Sequence, residues 1–185
     1  EAMVEAKAHY LCKFKVYSGK QPDGEYQVFN SPDDIVKRLV EPVKRSGRKI
    51  TTDNRYTSIK LAKELLTPEY KLTLVGTLNK RKPDIPLEFL PNQNRPQFSS
   101  LFALHDQITL VSYFPKLKKA VVLLSTMHND MVIDMSTNET QKPEIITHCN
   151  DTKGSVDCND QLCATYNVAP EEELKDGFWQ HFSIF

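Results

Sequence analysis

Apolar and polar positions alternate with a period of two in the opening stretch, where Tyr10, Cys12, Phe14 and Val16 share one face and Leu11, Lys13, Lys15 and Tyr17 the other. With Met3 and Val4 just before, the pattern predicts two extended segments, close enough to pair as an antiparallel hairpin, the second a half-buried strand. Gly19, Pro22 and Gly24 then supply turn chemistry. After them the period changes. Ile35, Val36, Leu39, Val40 and Val43 fall on one helical stripe behind Ser31, which can cap free amides, Pro32 at the first helical position, and Asp33 and Asp34 at the positive end of the dipole. Pro42 should kink this helix and Gly47 should end it.

Residues 49–52 read as a short central strand running into Asp53, and Ile59, Leu61, Ala62, Leu65 and Leu66 as a helix that stops at Thr67-Pro68. Leu72, Leu74 and Gly76 alternate with Thr73, Val75 and Thr77 in a returning strand. Strand, helix, strand, helix, strand predicts an α/β layer with partly parallel strands. The stretch 80–100, broken by Pro83, Pro86, Pro91 and Pro96, has no period and reads as a long loop or arm. Segments 101–104, 108–114 and 120–125 then read as strands around turns at His105-Asp106 and Pro115-Lys116, so that 80–142 is expected to be a β-rich insertion beside the core, poor in helix. Ile145 and Ile146 suggest one more strand. Residues 156–166 suggest a helix with Asp157 and Asp160 near its start, one turn apart on the same side.

The chain has 185 residues, 39% hydrophobic and 26% charged, which is the composition of a folded domain with one sizeable core. Its apolar runs are far shorter than the roughly 20 residues a membrane-spanning helix needs, so no membrane association is expected. The 24 basic and 24 acidic residues cancel, so no bulk positive field holds a nucleic acid. Their distribution is uneven. Residues 37–60 carry eight basic side chains against Glu41 and Asp53, whereas 151–176 carry seven acids against Lys153 and Lys175. The four cysteines form no CxxC pair and are too sparse for a disulfide scaffold, which predicts free thiols in an intracellular protein.

Three sets of acids stand where chemistry could use them: Glu5 on the first strand, Asp53 at a strand end, and Asp157 with Asp160 on the late helix. Carboxylates at strand ends of an α/β layer face the crevice in which such sheets bind ligands. The segment 47–58 (GRKITTDNRYTS), followed by Leu61-Ala62 and by 72–77 (LTLVGT), resembles the stretch around the second catalytic aspartate of piggyBac transposases. The segment 152–163 (TKGSVDCNDQLC) is similar to the stretch with that family's third aspartate and a nearby fourth acid.

The resemblance, over about 4–168, implies an α/β fold: an RNase H-like mixed sheet flanked by helices and interrupted by a mostly β insertion. On that reading 1–79 is the first part of the core, 80–142 the insertion, 143–168 the return to the core, and 169–185 a divergent acidic and aromatic tail. It implies Asp53 and Asp157 as metal ligands and Asp160 as a supporting acid, for two magnesium ions that activate the attacking oxygen on DNA phosphates. The first ligand position holds Glu5 where the family has aspartate, one methylene longer. The three ligands are expected to converge on one crevice. The implied partner is double-stranded DNA, at transposon ends and TTAA targets, in the nucleus. Glu5 and the acidic tail imply a truncated chain that does not complete the reaction unaided. The alternative is a transposon-derived module that binds DNA or protein without catalysis.

Overall fold

The computed structural model describes residues 1–16, 24, 29–91 and 95–166. They fall into two compact units: one takes in Glu1–Pro42 and the chain from Lys153 onward, the other Val43–Thr152.

In the first unit, β1 (Ala2–Val4) and β2 (Leu11–Phe14) pair antiparallel, as the alternation predicts. The helix α1 (Pro32–Leu39) begins as expected, with Ser31 Oγ accepting from the Asp34 amide at 3.3 Å. Its stripe of Ile35, Val36 and Leu39 is buried. Lys13 Nζ donates to the Arg38 carbonyl at 2.6 Å and ties β2 to α1. The expected burial of β2 is corrected: Tyr10, Phe14 and Val16 are 69%, 64% and 53% exposed. A two-stranded ribbon offers only one face to its unit, and alternation alone does not say whether a second layer covers the other.

The second unit is built on a five-stranded mixed sheet in the order β3-β4-β7-β6-β5. Here β3 (Lys49–Thr52) and β4 (Thr73–Thr77) run parallel, joined by α2 (Ile59–Leu66) as the crossover. Then β7 (Lys119–Ser125) pairs antiparallel with β4, and β6 (Ile108–Lys116) with both β7 and β5 (Ser100–His105). Among the described residues of 80–142 the only helical pieces are 3-10 turns at Leu87–Phe89 and Met135–Thr140, so helix content is low, as expected. The expectation of an insertion lying beside the core is corrected. Its strands continue the β3-β4 sheet through the β4-β7 pairing, because the unpaired edge of β4 has to be satisfied and β7 supplies the partner. The same order makes β3 the end strand of this sheet rather than a central one.

One face of the sheet is covered by α3 (Glu144–Thr165), whose Ile145, Ile146 and Cys149 join Val75, Val111, Tyr113 and Leu123 in one buried cluster. Ile145 and Ile146 therefore open a helix and are not the strand their β-branching suggests. The signal is the spacing of Ile145, Ile146, Cys149 and Thr152, which repeats at three and four residues after Pro143. Asp157 and Asp160 consequently lie well inside a 22-residue helix, not at its start, so neither caps it.

The opposite face carries Leu74, Val122 and Leu124, all buried, and the stretch 80–100, which has no period in the sequence, is fastened there. Ser112 Oγ donates to the Phe89 carbonyl at 2.7 Å. Arg95 donates to Ser112 Oγ and to the Ser112 carbonyl, both at 3.0 Å, and to the Ser99 carbonyl at 3.2 Å, with its guanidinium 4.0 Å from the centre of the Phe114 ring. Burial pushes its pKa down, and these carbonyls and the ring's negative face stabilise the cation there. Arg95→Ala is expected to cost about 1–3 kcal/mol in denaturant unfolding and to open 80–100 to limited proteolysis, with Arg95→Lys recovering only part because it loses the planar fork.

Candidate functional site

Asp53 follows directly on β3 and is exposed. Its position is set by a compact turn. The Asp53 carbonyl accepts from the amides of Tyr56 and Thr57, each at 3.0 Å, and from Thr57 Oγ1 at 2.8 Å. Thr52 Oγ1 and Thr57 Oγ1 lie 2.8 Å apart, and Lys82 Nζ donates to the Thr57 carbonyl at 2.8 Å. This turn presses on β4 at Gly76. A Cβ placed there would meet Thr57 Oγ1, the Thr52 carbonyl oxygen at 2.5 Å and Thr52 Oγ1 at 2.7 Å. Gly76 is thus the residue that lets the Asp53 turn close over the sheet, a requirement that no local sequence signal carries beyond its place in the LTLVGT motif. On the other face, Thr51 Oγ1 is 2.7 Å from Thr152 Oγ1 of α3.

Glu5, Asp157 and Asp160 belong to the first unit, Asp53 to the second. Glu5 stands one residue past β1, and its Oε2 accepts from the amide of Lys7 at 2.9 Å and from that of Ala8. The Ala8 amide is the first cause that holds this exposed carboxyl below its ordinary pKa. Beside it, Ser155 Oγ, buried on α3, donates to the Ala6 carbonyl at 2.6 Å. The segment after β1 and the Asp157 turn of α3 are therefore neighbours. Asp157 is exposed, and Asp160 is half-buried with Oδ1 enclosed and lacking a hydrogen-bond partner. Burial first, and the Asp157 charge second, push the Asp160 carboxyl up.

A divalent metal needs several oxygens pointing inward at about 2.0–2.1 Å if it is magnesium. Among the described residues no three His, Cys, Asp or Glu side chains are grouped to hold a metal ion. The Glu5 carboxylate is occupied with its own loop. Cys12, Cys149, Cys158 and Cys163 carry free thiols, and among the described residues no helix is long and apolar enough to cross a membrane.

The family model described as Transposase IS4 matches residues 2–180. This chain belongs to that transposase family. The family match runs past Val168, so part of the stretch read as a divergent tail lies inside it. A piggyBac transposase, solved as a synaptic complex with hairpin DNA, is 40% identical and superimposes with a TM-score of 0.78, covering 88% of this chain. The match spans 33% of that transposase. The chain is a piggyBac-like transposase domain with an RNase H-like fold.

In this transposase domain, Gly76→Ala should lower stability by about 1–3 kcal/mol in denaturant melts, as overpacking does. Adding Thr57→Ala should not restore it, because the Thr52 carbonyl still meets the new Cβ. Ser155→Ala should cost about 0.5–1.5 kcal/mol through the lost bond to Ala6, and amide exchange at 5–8 should rise with it.

Proposed function

We propose that this chain provides the acid-bearing core of a piggyBac-type DNA transposase, with double-stranded DNA as its partner and Asp53, Asp157 and Asp160 as the acids that face the phosphates. The observation that carries the reading is the 40% identity to a transposase solved on hairpin DNA, with both acid motifs inside a family match over 2–180. Close to Asp53 in the chain the exposed side chains of Arg55 and Lys60 supply positive charge, which supports holding a phosphodiester beside a carboxylate that repels it. Magnesium as the ion, TTAA as the target, and the nucleus as the location belong to the same reading.

Glu5 keeps the charge expected at the first ligand position, but its carboxylate accepts two backbone amides instead of pointing into an open cage. The reading includes no excision or strand joining by this chain alone. The occupied Glu5 carboxylate favours the second reading, a transposon-derived module that binds DNA without cutting it.

The test is to titrate the purified chain against duplex DNA carrying family-type ends, at several salt concentrations, and to resolve the products with magnesium and with manganese. Salt-dependent binding is expected, weakened by Arg55→Ala and Lys60→Ala. At most weak manganese-supported nicking is expected, with excision not restored by Glu5→Asp alone. Robust magnesium-dependent excision would show that the acids do assemble, and absence of DNA binding would overturn both readings.

A further inference from the structure

A second group of polar side chains lies in the Val43–Thr152 unit. Ser125 ends β7, and its Oγ accepts from the amides of Met127 and His128, each at 3.1 Å. Both lone pairs of that hydroxyl are then in use, so its own proton is directed to His128 Nδ1, 2.8 Å away. This assigns the tautomer: Nδ1 accepts, and the neutral ring carries its hydrogen on Nε2. Thr109 Oγ1 of β6 donates to the His128 carbonyl at 2.5 Å and pins the turn from the next strand. His128 is 7% exposed.

The ring of His128 meets that of His148 on α3 edge to face, with centroids 5.4 Å apart at 90°. His148 Nδ1 is enclosed without a hydrogen-bond partner. His148 follows Ile145 by about one helical turn, so this ring contact continues the seam that fastens α3 to the sheet.

A proton on Nδ1 of His128 would put a third donor against an oxygen whose two lone pairs are filled. One of the two amides, or the ring itself, has to let go. It would also set a cation beside a neighbouring imidazole in a buried place. We propose that Ser125, His128 and His148 form a proton-sensitive latch that holds the first half of α3 on the sheet and loosens when His128 is protonated.

The charged and titratable groups around His128 come from three other places: His148 and Glu144 on α3, Asp130 after β7, and Lys49 on β3. Burial first, and His148 next, hold its pKa below the usual 6.5, with Glu144 and Asp130 opposing. The folded state therefore binds fewer protons than the unfolded chain just below that value. The stabilisation is complete above pH 6.5 and is lost as pH falls from there through the depressed folded value. The helix it loosens is the one that carries Asp157 and Asp160, although the latch stands whether or not the chain cuts DNA.

The test is amide hydrogen exchange of the full chain, corrected for intrinsic rates, with ring nitrogen NMR of His128 recorded on the same samples. Between about pH 8 and about pH 5, protection at 145–152 should fall at least tenfold more than at β6, following the titration of His128. In His128→Asn, whose carbonyl can still accept from Ser125, that excess loss should disappear. At about pH 8 the ring should carry its proton on Nε2. An Nδ1–H tautomer, an exchange transition that does not follow the His128 titration, or an equal loss in His128→Asn would each overturn the latch; should the variant fail to fold, the first two still decide.

Discussion

The side of the sheet lined by Val75, Val111, Tyr113 and Leu123 is apolar on three adjacent strands, and it has to be removed from water. The first turns of α3 cover it with Ile145, Ile146 and Cys149. Full burial of each of the larger side chains is worth about 1.5–3 kcal/mol, so this seam outweighs any single hydrogen bond around it. Those bonds set register instead. Thr51 meets Thr152 near one end of the seam, and His128 meets His148 within it.

The same seam explains which parts of the fold were legible in the sequence. α1 announces itself because Ser31, Pro32, Asp33 and Asp34 each act locally, through a cap, a fixed φ and the dipole. β3, α2 and β4 were legible too, because the change of period from two to 3.6 and back falls within one short stretch. The start of α3 was not. Two adjacent isoleucines fit a strand by propensity, and only the face awaiting cover on β4, β6 and β7 makes them helical. The same contact hid where Asp157 and Asp160 stand. A helix starting near Val156 would have them near its start, whereas a helix starting at Glu144 puts them in its interior.

Sheet order was hidden for a related reason. The alternation in 108–114 and 120–125 predicts strands, but nothing local to either segment names the strand it will join. The pairing of Val75 with Ser125 and of Gly76 with Leu124 is decided by long-range closure of the β4 edge. The exposed face of β2 shows the converse limit. Tyr10, Phe14 and Val16 carry the pattern of a buried face, and a pattern cannot supply the layer that would bury it.

Asp53 sits at the end of an edge strand, a place where backbone is ordinarily free to fray. Here consecutive threonines remove that freedom. Because side chains alternate across a sheet, Thr51 and Thr52 point to opposite faces. Thr51 is bonded to α3 on one face, and Thr52 to Thr57 on the other. The parallel ladder from Lys49 to Thr52 holds the strand along its inner edge. The last two residues before the carboxylate are therefore gripped from three directions, and the turn beyond closes only because position 76 has no side chain. β-Branched threonine suits both positions, since it favours extended backbone and offers a hydroxyl on a stiff stem. The acid is exposed, while the backbone that delivers it is fixed by residues that have no chemistry of their own.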